Sequence, residues 1–127
     1  MKERFSIGDY NFSINRNEST IEINGNQIID LTIKADENIF DQLCDKENFE
    51  FSYGLYPPEF YAHQIDLGKS KQIIINEQNQ NNYEVALYFM EHNDVVVNIS
   101  ILNNWIIILG ETYINGKKYP LEIKLCL

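Results

Sequence analysis

Between Tyr83 and Leu125 the chain alternates apolar and polar residues, breaks at a short polar turn, and alternates again. Tyr83, Val85, Leu87 and Phe89 share one parity before Glu91-His92-Asn93-Asp94 interrupts. Val95, Val97, Ile99 and Ile101 follow, then Asn103-Asn104, the run Trp105 to Ile114, and Asn115-Gly116. Successive side chains of a strand point to opposite faces, so this pattern buries one face of an antiparallel sheet. A β-meander is the expectation.

The first third keeps the same rhythm. Phe5 and Ile7 lead to Gly8-Asp9; Tyr10, Phe12 and Ile14 form a second strand; Ile21 and Ile23 form a third. Asn24-Gly25 reads as a type I′ hairpin turn, and Ile29, Leu31 and Ile33 alternate with Asp30, Thr32 and Lys34 beyond it. Residues 36–46 break the period: Ile39, Phe40, Leu43 and Cys44 lie on one helical stripe, with Asp36 placed as N-cap and Glu37 at the positive end of the helix dipole. Phe49, Phe51, Tyr53 and Leu55 resume the strand pattern up to Pro57-Pro58, which cannot donate to a ladder and is expected in a loop or on an edge. Pro120 places the last strand, Tyr119–Leu125, at a sheet edge by the same rule, with homodimer formation through edge pairing as a consequence. Trp105 to Leu109 is apolar on both parities and predicts a central strand covered on both faces, with Trp105, Ile107 and Leu109 in the core. The expected fold is mainly β: one domain over residues 1–127, an antiparallel meander that is sandwich-like or a curled sheet, with one short helix at 36–46.

Composition narrows the function. Ten basic against nineteen acidic residues give a net charge of −9, a field that repels phosphate backbones and attracts basic partners. The opening Met-Lys-Glu-Arg-Phe-Ser has no apolar stretch of the signal-peptide kind, and the longest apolar run is too short to cross a bilayer. A cytoplasmic location, with no membrane and no nucleic acid as partner, is expected. Cys44 and Cys126 are too few and too far apart for a disulfide framework or a zinc knuckle.

No catalytic motif stands out. There is no Gly-x-Ser-x-Gly elbow and no glycine-rich phosphate loop, and His63 and His92 are the only histidines. Glu91-His92-Asn93-Asp94 is rich in ligand types but reads as a solvated hairpin turn. The expectation is a protein without enzymatic activity, metal or cofactor.

Two stretches carry the candidate binding residues. Asp36, Glu37, Asp41, Asp45, Glu47 and Glu50 face Lys46 alone, a net −5 over residues 36–50. That segment is either the wet face of an amphipathic helix or an acidic surface that speeds encounter with a basic partner. Close behind it comes Gly54-Leu55-Tyr56-Pro57-Pro58-Glu59-Phe60-Tyr61. Its Tyr56, Glu59, Phe60 and Tyr61 either form an aromatic contact surface on a stiff loop or fold back onto the core.

In its small size, acidity, β-rich pattern and lack of a catalytic constellation, the chain resembles the immunity proteins of bacterial toxin systems, both contact-dependent and type VI secretion. The resemblance implies a cytoplasmic antidote that binds one cognate protein toxin, a basic effector domain, and occludes it. The rival reading is a β-sandwich or barrel with a pocket for a small apolar ligand, lined by Phe5, Tyr10, Phe12, Phe49, Phe51 and Phe89.

Overall fold

Two antiparallel sheets share one apolar interior in a computed structural model that describes residues 2–36, 55–67, 72–75, 85–90, 92–93, 95–114 and 116–127. The strands are β1 (Arg4–Ile7), β2 (Tyr10–Phe12), β3 (Thr20–Asn24), β4 (Gln27–Lys34), β5 (Leu55–Asp66), β6 (Gln72–Ile75), β7 (Val85–Met90), β8 (His92–Asn93), β9 (Val95–Leu102), β10 (Trp105–Ile114) and β11 (Lys117–Cys126). One sheet runs β2-β1-β11-β10-β9-β6 and the other β3-β4-β5-β7-β8. The mainly-β, antiparallel architecture expected from the alternation is the one observed. Its only helical element among the described residues is a 3-10 turn, Arg16–Glu18. The helix expected at 36–46 falls, apart from Asp36, outside the described residues.

Inward parity sets the core. Phe5, Ile7, Leu121, Ile123, Ile106 and Ile108 contribute from the first sheet, and Ile28, Leu31, Ile33, Phe60, Ala62 and Leu87 from the second. Burying an aliphatic or aromatic side chain of this kind contributes about 1.5–3 kcal/mol. The sheets are stitched at one edge where the chain crosses between them. Asn15 N donates to Lys34 O at 2.8 Å and Asp36 N to Ser13 O at 2.7 Å, flanking the bridge Ile14↔Ala35. Ser19 Oγ donates to Asn15 O and accepts from Lys34 N, holding the turn against β4.

Four expectations are corrected. The β3–β4 hairpin turns one residue later than Asn24-Gly25, because Asn24 pairs with Gln27 and leaves Gly25-Asn26 as the loop. Only Gly25 of that pair has positive φ (61°), the pattern of a type II′ rather than a type I′ turn. Asn103 and Asn104, both at positive φ, make the type I′ connection between β9 and β10 instead.

Pro57-Pro58 lies inside β5, a strand paired on both sides, not in a loop or on an edge. The ladder to β7 shifts register between Leu55 and Glu59, so no N–H is missed there, while Pro58 O still accepts from Ala35 N at 2.9 Å. Pro120 likewise sits in β11 between β1 and β10, so Tyr119–Leu125 offers no free edge for a homodimer. Pro120 O accepts from Gly8 N at 2.8 Å. In an antiparallel strand a residue's N–H and C=O face the same neighbour, so the missing donor faces the point where β1 turns away.

β10 is central, as expected, but its parity is reversed. Ile106 and Ile108 are fully buried, whereas Trp105 and Ile107 are half-buried on the outer face and Leu109 is 44% exposed. An apolar run without alternation contains no parity signal, so only the pairing with β9 and β11 decides which residues point inward.

Candidate functional site

The expected binding residues divide sharply. Asp36 is described, half-buried at the end of the β2–β4 stitch with its backbone N–H bound to Ser13. Glu37, Asp41, Asp45, Glu47 and Glu50 lie outside the described residues, and of Tyr56 only the backbone within β5 is described. Phe60 is fully buried in the core, flanked by Glu59 and Tyr61 on the opposite face, and so drops out of the candidate surface. The physical reason is strand periodicity: in a strand, unlike a loop, Phe60 cannot share a face with its neighbours.

Glu59 and Tyr61 therefore stand on the outer face of the second sheet, and the pairing register brings further polar residues beside them. Glu22 of β3 pairs with Asp30 of β4, which pairs with His63 of β5. One row along, Thr20 pairs with Thr32, and Thr32 with Tyr61; in the next, Lys34 pairs with Glu59. Glu18 reaches Lys34 Nζ at 3.0 Å and neutralises it. Glu22, Asp30 and Glu59 have no salt-bridge partner among the described residues, which leaves this face acidic.

At its centre Tyr61 stacks on His63 with ring centroids 5.9 Å apart and planes 13° from parallel. Stacking orders both rings, and a half-buried Tyr presents apolar area together with a hydroxyl. Nδ1 of His63 is buried and has no hydrogen-bond partner among the described residues. An ordered aromatic pair beside carboxylates that have no ion-pair partner among the described residues suits cationic side chains, which gain Coulomb energy from the acids and quadrupole attraction from the tyrosine ring.

Among the described residues no three His, Cys, Asp or Glu side chains form a metal-binding group, and no helix is long and apolar enough to cross a membrane. Comparison with protein-family models, curated proteins and solved structures finds no match to this chain.

Glu22, Asp30 and His63 were not singled out as binding residues from the sequence, since they are spread over forty-two positions and belong to three strands. A signal was present all the same. Asp30 alternates with Leu31 and Ile33, and Glu22 with Ile21 and Ile23, so each was marked as outward-facing. What the sequence lacked was the register that lines them up.

Proposed function

We propose that this protein is a non-enzymatic, protein-binding antidote that occludes a basic bacterial toxin domain. The observation that carries the reading is the acidic outer face of the second sheet, where the register sets Glu22, Asp30 and Glu59 near the stacked Tyr61–His63 pair. A net charge of −9 adds a long-range field of the sign that draws in a basic partner. The acids at Asp36, Glu37, Asp41, Asp45, Glu47 and Glu50 continue the same charge in the segment that follows β4. The likeness to immunity proteins supplies the toxin as the class of partner.

The rival, an internal pocket for an apolar ligand, draws less support from the packing. Phe5 and Phe12, two of its expected lining residues, pack edge to face on each other with centroids 6.2 Å apart.

Co-expression with basic toxin domains, beginning with any that neighbouring genes encode, tests the proposal. Growth should be protected and the two chains should co-purify at equal stoichiometry. Replacing both Glu22 and Asp30 by Lys should abolish protection while the circular dichroism spectrum and melting temperature stay those of the parent. Protection undiminished in that variant, or no complex with any such domain, would refute the assignment.

A further inference from the structure

On the other sheet, at its β2 edge, lies a hollow of about 360 Å³ lined by Lys2, Glu3, Arg4, Asn11, Phe12 and Lys124. We propose that it binds an oxyanion, the phosphate or carboxylate group of a small molecule. Three of its six lining residues are cations in a chain that is otherwise strongly acidic.

The local charges do not cancel. Glu3, the acid in the wall, accepts from Arg16 Nη1 at 2.6 Å and from the Cys126 backbone N–H at 3.1 Å, so it is compensated by Arg16. Arg4 and Lys124 are cross-strand neighbours and share a single carboxylate, Glu122. Lys124 Nζ lies 2.9 Å from Glu122 and Arg4 Nη1 lies 3.5 Å from it. Lys2 has no ion pair among the described residues. Among the described residues, Lys2, Arg4, Arg16 and Lys124 are thus matched here by Glu3 and Glu122 alone, an excess of two positive charges.

Arg4 is the group best suited to recognition. Its contact with Glu122 is long, its side chain is 49% exposed, and most of its donor fork is uncommitted to that contact. A planar guanidinium matches two oxygens of a phosphate or carboxylate at once, whereas Lys2 and Lys124 act as point charges on the same anion. The Asn11 amide offers N–H donors from the neighbouring strand. A concave wall with a net positive charge also focuses the field. The site is independent of the acidic face, which lies on the other sheet.

The test is a nitrogen-15 NMR titration of the full chain with inorganic phosphate, sodium acetate and sodium chloride at matched pH and ionic strength. Phosphate should give saturable shifts at the amides of residues 2–4, 11, 12 and 124, and chloride should not. Acetate acting as well as phosphate shows that the site reads the pair of oxygens both groups share; phosphate acting alone assigns a phosphate, and acetate acting alone a carboxylate. Lys2→Gln and Arg4→Gln should each weaken phosphate binding roughly tenfold, as loss of one charged hydrogen bond implies. Glu122→Gln should tighten it, because Lys124 and Arg4 then lose their competitor, a gain that no loss of folding could produce. Chloride acting as well as phosphate and acetate, the absence of saturation with both, or unchanged binding in the two cation variants would overturn the proposal.

Discussion

Gly110 of β10 lies so close to Val97 of β9 that no side chain fits between them. A Cβ built on Gly110 would stand 2.8 Å from Val97 Cα and closer still to the Val96 carbonyl oxygen. The two residues are register partners, so the crowding is backbone against backbone at the centre of the six-stranded sheet. A glycine in a strand interior often marks such an approach. Gly110→Ala should therefore destabilise the fold by about 1–3 kcal/mol or more, the range of an overpacked core. Urea denaturation checks this, and a variant as stable as the parent would show that β9 and β10 can separate freely.

The reversed parity of β10 gives a paired test. Ile108→Ala removes a fully buried side chain and should cost about 2–5 kcal/mol. Leu109→Ala, at a side chain 44% exposed, should cost well under about 1 kcal/mol, in line with surface substitutions. Equal losses at the two positions would contradict the register with β11 that aligns Ile108 with Ile123.

Acid should act partly through Glu122. A hydrogen bond from Lys124 lowers its pKa from 4.5; partial burial opposes this, and the charges of Lys124 and Arg4 reinforce it. A carboxyl whose pKa is lower folded than unfolded contributes stability that is complete above the unfolded value and lost as pH falls through the folded one. The stability difference between the parent and Glu122→Gln should be full at neutral pH and shrink below pH 4.5. Denaturation midpoints measured across that window read it directly, and a gap that widens on acidification would have the wrong sign.

Steering and anchoring on the acidic face should separate kinetically once the partner toxin domain is in hand. Asp41→Lys with Asp45→Lys, which reverse two charges in the acidic segment that follows β4 in the sequence, should slow association and flatten its salt dependence, because charge attraction acts at long range and is screened by salt. Tyr61→Ala should leave association nearly unchanged and speed dissociation, by roughly 2 kcal/mol if the stacked ring is a hot spot. Stopped-flow mixing at several salt concentrations distinguishes the two, and a salt-independent association rate in the parent would remove the steering role.

Strict alternation of apolar and polar residues was sufficient to specify an antiparallel β protein, since period two admits only one side-chain geometry. The same alternation marked Phe5, Ile7, Leu31 and Ile33 as inward-facing, and all four are fully buried; Ile29, marked with them, is only half-buried, and Ile28 takes the core position beside the register shift of β3 and β4. It also marked Asp30 and Glu22 as outward-facing, and acidity was plain from composition. Tertiary structure decided the rest because strand order and register depend on partners distant in the chain. Pro57-Pro58 and Pro120 each break a local rule that assumes a ladder bond at every residue, and each is tolerated because a register shift or a turning neighbour leaves that bond unrequired. Trp105 to Leu109 offered no polar residue to tell inside from outside, so pairing alone set its faces. For the same reason Glu22, Asp30 and His63 became neighbours only when three strands aligned, and Phe60 parted from Tyr61 once their segment was drawn out as a strand.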